Sequence, residues 1–167
     1  MIQRSLLSFL NAAPLIADSF TPRELCIIGG EDRKEIRARL AEQKNIQTRY
    51  YPDVDAKEAS NILSTCAFAW VDYFHVPGVP MAAILKSSAF AGLCAHGIIP
   101  VFPHDGSLIH HRHDALPGPF FVAASGQNLP RESERAQTAQ AIHAWYGRNA
   151  SSRDLAETVA AAISRPL

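Results

Sequence analysis

The segment KSSAFAGLCAHGIIPVF, residues 86–102, decides the fold of this chain. Ser87 and Ser88 follow Lys86 and open a short helix of small residues, which Gly97 ends in the C′ position. The apolar run Ile98–Phe102 follows directly and predicts a strand buried on both faces. A helix that leads straight into such a strand is typical of a parallel βαβ unit.

The rest of the chain repeats this alternation on both sides of the segment. Four more short apolar runs predict strands, at residues 25–28, 46–51, 68–71 and 120–123. Helical patterns separate them or flank them, at residues 5–18, 32–44, 55–63, 132–146 and 151–163. We therefore expect one α/β domain over residues 1–167, with a mostly parallel sheet and helices on both of its faces.

Length and charge exclude several classes of protein. The chain has 167 residues, 47% of them hydrophobic, and 16 basic side chains balance 16 acidic ones. Such a chain can bury a core without a disulfide or metal, and zero net charge disfavours binding to nucleic acid or a membrane surface. The three isolated cysteines indicate buried thiols in a reducing compartment. No signal peptide or membrane-spanning run is visible, so a cytoplasmic location is expected.

Lys86, Ser87 and Ser88 form the most informative candidate binding element. The backbone N–H groups and dipole of a helix N-terminus attract an anion, serine hydroxyls donate hydrogen bonds, and lysine adds positive charge. A diphosphate fits this combination. The alternative is that one serine only caps the helix and that Lys86 is solvated, which local features alone favour.

Residues 85–101 as a whole resemble the C-terminal, donor-binding domain of GT-B glycosyltransferases. In that family a basic residue and small hydroxyl residues open a helix that ends in a turn similar to Ala95–Val101. Residues 25–31, 51–63, 68–73 and the closing helices from Trp145 onward agree with the family in order. The resemblance implies a Rossmann-like half of a two-domain enzyme whose ligand is a nucleoside-diphosphate sugar, with no separate cofactor or metal.

The resemblance also implies roles for individual residues. Gly29 and Gly30 would let the backbone approach the donor, and Lys86, Ser87 and Ser88 would hold its diphosphate. Tyr73 and His75 would lie near the sugar or the phosphates. Two plainer alternatives stay open: Gly29 and Gly30 form an ordinary strand-to-helix turn, and Tyr73 and His75 are loop side chains that touch no ligand.

Catalysis is not assigned to any residue of this chain. Ile84 and Gly92 stand where many retaining members of the family carry glutamates, so the stereochemistry of transfer stays open. In the family the catalytic base or acceptor site commonly belongs to the N-terminal domain. We therefore expect this chain to bind a donor weakly and to need an N-terminal acceptor domain or subunit for turnover.

Two other functions compete with this interpretation. One is a non-catalytic α/β module that binds a partner chain through an exposed apolar stripe of the first helix: Leu6, Leu7, Phe9 and Leu10. The other is a small nucleotide-binding regulator, which should bind a nucleotide equally well with and without the sugar. A metal site at His110, His113 and Asp114 is disfavoured, and that segment is interpreted as a solvated or donor-side loop.

Overall fold

The structure is a computed structural model, and it describes residues 2–16, 20, 22–72, 81–104 and 108–149. The described residues form five α-helices: α1 (Ile2–Ala12), α2 (Lys34–Ala41), α3 (Ala56–Leu63), α4 (Ser88–Ala95) and α5 (Glu132–Asn149). Eight short strands accompany them: β1 (Glu24–Ile28), β2 (Gln47–Tyr51), β3 (Phe68–Trp70), β4 (Ile99–Val101), β5 (His110–His111), β6 (Asp114–Ala115), β7 (Phe121–Ala123) and β8 (Gly126–Asn128). Short 3₁₀ turns occupy Ala13–Leu15 and Met81–Lys86. The predicted mixed α/β class is confirmed.

The described strands pair two by two. β1 pairs with β2 and β3 pairs with β4, both in parallel, as their βαβ connections predict. β5 with β6 and β7 with β8 form antiparallel hairpins. A parallel bridge between Phe102 and Phe121 places β7 beside the end of β4. Each strand is short, and the described hydrogen bonds define two-stranded sheets of both orientations.

The β3–β4 pair has a buried core on each of its faces. Ile99 of β4 is buried in a cluster with residues of α4 and α5, and Val101 of β4 is buried with Ala12 at the end of α1. The core on the α4 and α5 side contains the largest buried side chains, among them Phe90, Phe102 and Trp145. Residues of α4 and α5 thus belong to one core cluster beside this strand pair, and the end of α1 belongs to another.

α1 packs against both parallel strand pairs. Leu6 is buried with Ile36 and Leu40 of α2, against side chains of β1 and β2. Phe9 meets Trp70 of β3 edge to face, with the ring centroids 5.6 Å apart. The expected exposed stripe on this helix is therefore wrong for Leu6 and Phe9, which are only 5% and 7% exposed. Their side chains pack inside the fold, because α1 lies over the strands.

Helix ends follow the signals in the sequence. Asp55 accepts a hydrogen bond from the Glu58 N–H at the start of α3, and Ser87 accepts one from the Phe90 N–H at the start of α4. Pro14 lies in the 3₁₀ turn that follows α1, so the α-helix ends before it. None of the helices in the described ranges is long and apolar enough to cross a membrane. The predicted helix at residues 151–163 lies outside the described residues.

His96, at the end of α4, connects this helix to α3. Its Nδ1 lies 2.7 Å from the carbonyl oxygen of Gly92, and its Nε2 lies 2.8 Å from the hydroxyl oxygen of Ser60. Because a carbonyl oxygen only accepts, Nδ1 donates to Gly92, and Nε2 shares a hydrogen bond with the Ser60 hydroxyl. This contact fixes α3 against the C-terminal end of α4.

The histidine-rich segment forms the β5–β6 hairpin rather than the loop predicted for it. Asp114 accepts hydrogen bonds from Arg148 at 2.9 Å and from Asn149 at 2.6 Å, both near the end of α5. The Asn149 amide and the Arg148 guanidinium hold the pKa of the Asp114 carboxyl below its usual range. Two-residue strands leave no periodic pattern in a sequence, and here contacts with a distant helix position them.

Gly97 is predicted to resist substitution. Its φ of +66° is unfavourable for other residues, and a Cβ there would lie 2.9 Å from the Ala139 carbonyl oxygen of α5. Gly97→Ala should therefore lower the free energy of unfolding in urea by about 1–3 kcal/mol. Gly92→Ala in α4, where a Cβ meets nothing within 4 Å, should raise it by about 1 kcal/mol. Equal effects of the two substitutions would contradict the packing described for Gly97.

Asp114 should make stability depend on pH. Because its pKa is lowered in the folded state, its contribution is present at neutral pH and is lost below about pH 5. Asp114→Asn should therefore lower Tm at pH 7, and the difference from wild type should shrink as the pH falls. Asp53→Asn, in the exposed turn after β2, is the control. A Tm difference that is constant from pH 7 to pH 3 would contradict this role.

Candidate functional site

The turn after β1 brings two predicted elements together. Gly29 and Gly30 adopt positive φ values of +85° and +75°, which explains the pair of glycines. The Gly29 N–H donates to the Tyr51 carbonyl oxygen at 2.9 Å, and the Asp53 N–H donates to the Gly30 carbonyl oxygen at 3.0 Å. The glycine turn and the loop after β2 are thus joined at the carboxyl ends of two parallel strands. This is the edge where open α/β sheets bind ligands.

The space beside this turn is open. A Cβ placed on Gly29 would meet no atom within 4 Å, so its backbone is accessible to an approaching group. The glycine is needed for its backbone conformation and not to avoid a clash with this chain. Both interpretations of Gly29 and Gly30, an ordinary turn and a ligand-facing turn, are compatible with this geometry.

The start of α4 is built as its sequence predicts. Ser87 caps the helix, since its hydroxyl oxygen lies 3.2 Å from the Phe90 N–H. The Ser87 O–H remains able to donate, because a hydroxyl can accept and donate at once. Lys86 and Ser88 on either side are exposed to solvent. The capping role of Ser87 is confirmed. The polar side chains of Lys86, Ser87 and Ser88 lie together at the start of α4.

This helix start also lies at the carboxyl edge of its strand pair. α4 leads into the beginning of β4 through Gly97, so its other end lies towards the end of β4. Val71, directly after β3, is buried in the same cluster as Ile84 of the 3₁₀ turn that precedes α4. The glycine turn and the α4 start belong to different strand pairs, and no hydrogen bond between described residues joins them.

Two predicted site residues cannot be placed. Tyr73 and His75 lie outside the described residues. Around the predicted histidine cluster, the described part of the chain contains no group of three or more His, Cys, Asp or Glu side chains arranged to hold a metal ion.

Comparison with known proteins does not extend this picture. No protein-family model, no curated protein and no solved structure matches the chain. The functional interpretation therefore depends on the geometry of these residues and on the resemblance described above.

Sequence reasoning missed a cleft that the structure forms beside α1. The cleft has a volume of about 400 Å³ and is largely open to solvent. One wall is a stripe of α1 that includes Arg4, Ser8 and Asn11. The other wall comes from residues at or just after the ends of β3, β4 and β7, and it includes Asp72. This space is the α1 cleft.

Asp72 is the most unusual residue of the α1 cleft. It is only 5% exposed, and it is the one charged residue among the buried side chains of the described chain. Both of its carboxylate oxygens are buried, and burial of a carboxylate is costly unless other groups interact with it. The signal in the sequence was weak, because an aspartate after a short strand is typical of a solvated loop.

Two of the three cysteines, Cys26 and Cys94, have thiols whose pKa is raised. Burial raises the pKa of Cys94 to about 12, and it is fully enclosed. Burial, together with the neighbouring Cys66 and Glu24, raises the pKa of Cys26 to about 12. The prediction of buried thiols is thus confirmed for Cys94, while Cys26 and Cys66 are half-buried.

Thiol labelling should separate these cysteines. At pH 8, a thiol with pKa 12 has about a thousandfold less thiolate than one with the ordinary value of 9.0, and the thiolate is the reactive form. Iodoacetamide should leave Cys94 unmodified in native protein and label it after unfolding in urea, as read by mass spectrometry of peptides. Native labelling of Cys94 at its unfolded rate would contradict its place in the core.

Proposed function

We propose that this chain is the donor-binding domain of a GT-B glycosyltransferase, which binds a nucleoside-diphosphate sugar for transfer to an acceptor. In this proposal the two parallel strand pairs belong to one Rossmann-like sheet, with α1 on one face and α4 and α5 on the other. The packing of α1 against both pairs supports a common layer. The buried α4 and α5 on the opposite face of β3 and β4 support the second helical layer.

The observation that carries the proposal is that the glycine turn and the start of α4 both lie at the carboxyl ends of parallel strands. The glycine turn at Gly29 and Gly30 follows β1, and the capped start of α4 lies beyond β3. In parallel α/β folds, ligands with phosphate groups bind at this edge, where free N–H groups and helix N-termini face the solvent.

Lys86, Ser87 and Ser88 have the chemistry that a diphosphate needs. Their ammonium and hydroxyl groups donate to phosphate oxygens, and the first N–H groups of α4 add further donors. The same contacts would stabilise negative charge on the departing nucleoside diphosphate during transfer. Because the chain has zero net charge, attraction of an anionic donor depends on such local groups.

In the proposed enzyme, a second, acceptor-binding domain or subunit completes the active site. Tyr73 and His75 are proposed to face the sugar or the phosphates of the donor, as the resemblance implies. The competing regulator hypothesis differs in one measurable respect: a regulator binds the nucleotide with or without a sugar equally well. The interaction-module hypothesis is weakened, because Leu6 and Phe9 of its expected surface are buried.

Lys86→Ala should weaken donor binding. Removal of a charge-assisted hydrogen bond should raise Kd for nucleoside diphosphates and sugar nucleotides about tenfold. Titration calorimetry with the uridine, guanosine and adenosine forms of both ligand classes measures this change. Lys44→Ala is the matched control, since it removes the same charge from an exposed loop before β2, at the opposite end of the strands.

The outcomes are distinct. Tenfold weakening for Lys86→Ala with no change for Lys44→Ala supports the proposed phosphate contact. Equal effects of the two substitutions would show that only overall charge matters, and they would remove Lys86 from the site. If none of the nucleoside diphosphates and sugar nucleotides binds the wild-type chain, the proposed function is wrong.

A further inference from the structure

Two of the three cysteines are neighbours in the fold. Cys26 lies in the middle of β1, and Cys66 lies in the connection between α3 and β3. Their side chains interact with each other, although they are far apart in the chain. Both residues are half-buried, whereas Cys94 is fully enclosed in the core. The chain thus has one pair of neighbouring thiols and one isolated thiol.

Strand alternation and the end of α3 explain how this pair arises. Leu25 and Ile27 pack with buried residues of α1 and α2, so Cys26 between them points to the opposite face of β1. The Cys66 thiol donates to the Ile62 carbonyl oxygen at 3.4 Å, which holds it against the last turn of α3. The end of α3 therefore lies beside β1 on the face that α1 and α2 do not cover.

A carboxylate lies beside the Cys26 thiol. Glu24 is two residues away on the same face of β1, and its Oε1 accepts a hydrogen bond from the Cys26 thiol at 3.5 Å. The same oxygen is ion-paired with Arg49 at 2.8 Å, and Arg49 stands opposite Cys26 in the register of β1 and β2. Because a carboxylate accepts protons, Glu24 is placed to take the proton that Cys26 loses when it reacts.

The surroundings of the two thiols also set the order in which they react. Burial, with Cys66 and Glu24, raises the pKa of Cys26 to about 12, so Cys26 is almost entirely protonated at neutral pH. The thiolate is the reactive form, which makes Cys66 the first thiol to meet an oxidant. Cys66 lies between α3 and β3 and outside both, so the backbone there can adjust to the geometry of a disulfide.

We infer that Cys26 and Cys66 are a peroxide-sensitive thiol pair, which closes to a disulfide and covalently joins the β1–β2 pair to the β3–β4 pair. Ala67, next to Cys66, already continues the pairing of β3 with β4, because its carbonyl oxygen accepts from the Ile99 N–H at 3.1 Å. In the reduced protein α1 packs on both strand pairs. The disulfide adds a second connection, on the opposite face of β1.

The oxidation has two steps. The Cys66 thiolate attacks one oxygen of hydrogen peroxide, the O–O bond breaks, and the products are a sulfenic acid on Cys66 and hydroxide. Cys26 then passes its proton to Glu24 and attacks the Cys66 sulfur, so that an S–S bond forms and hydroxide leaves. The two thiol protons convert both hydroxides to water. The sulfurs lose two electrons in total, and the peroxide gains them.

Trypsin separates the three cysteines, which makes the pair directly measurable. It cuts after Lys and Arg, so Cys26 falls in peptide 24–33, Cys66 in peptide 58–86 and Cys94 in peptide 87–112. The reduced full chain is treated with hydrogen peroxide, its remaining thiols are blocked with N-ethylmaleimide in urea, and the unreduced digest is read by mass spectrometry. We expect peptides 24–33 and 58–86 to be cross-linked and peptide 87–112 to carry the maleimide.

Single substitutions test the order of the two steps. Cys26→Ser leaves the Cys66 sulfenic acid without a partner, so dimedone should trap it on peptide 58–86. Cys66→Ser should leave Cys26 as a thiol over the same time. Cys94→Ala is the matched control, and it should form the same cross-link as the wild-type chain. Dimedone on Cys26 and none on Cys66 would overturn the assigned chemistry.

Thermal unfolding measures the connection between the strand pairs. Oxidation should raise Tm of the wild-type chain by several degrees, because a disulfide restricts the unfolded chain, and dithiothreitol should reverse the change. Cys26→Ser and Cys66→Ser should show no such rise. A Tm that falls or stays constant on oxidation would show that the bond forms only when the fold is disrupted, and it would overturn the inference.

The digest gives the remaining decisive outcomes. A cross-link that contains Cys94, a disulfide between two chains on a non-reducing gel, or maleimide on all three cysteines after peroxide treatment would each overturn the pair. The experiment contains no nucleotide, so its result does not depend on the proposed function, and failure of donor binding would leave the thiol pair in place.

Discussion

The packing of α1 across the parallel strand pairs is the constraint on which the rest of the structure depends. Between the described strands, no hydrogen bond joins the β1–β2 pair to the β3–β4 pair. Leu6 packs on the first pair, and Phe9 and Ala12 pack on the second. The hydrophobic burial of one helix thus connects the two parallel strand pairs.

The same helix creates the cleft. With Leu6, Phe9 and Ala12 directed at the strands, the neighbouring stripe of α1 faces the ends of β3, β4 and β7. Asp72 follows Trp70 by two residues, so it lies on the α1 side of β3. Asp72 is a buried residue of the cleft wall, and both of its carboxylate oxygens are shielded from solvent. The packing of the two strand pairs and the shape of the cleft therefore both depend on α1.

Local signals in the sequence predicted the parallel units well. Ser87 as a cap, Gly97 as the end of a helix, and the apolar run before Phe102 are each explained by chemistry within a few residues. The β5–β6 hairpin was not predictable in this way. Its strands have two residues each, and Asp114 is held by Arg148 and Asn149, more than 30 residues away in the chain.

The sequence by itself determined the α/β class, the capped starts of α3 and α4, the glycine turn and the polar residues at the start of α4. These features depend on backbone conformation, capping and short-range periodicity, which act between near neighbours. Only the tertiary structure decided that Leu6 and Phe9 are core residues and that Asp72 is buried in a cleft. Burial depends on which distant element of the chain covers a side chain. The residues near Leu6, Phe9 or Asp72 in the sequence are the same whether or not such an element packs there, so they do not reveal the burial.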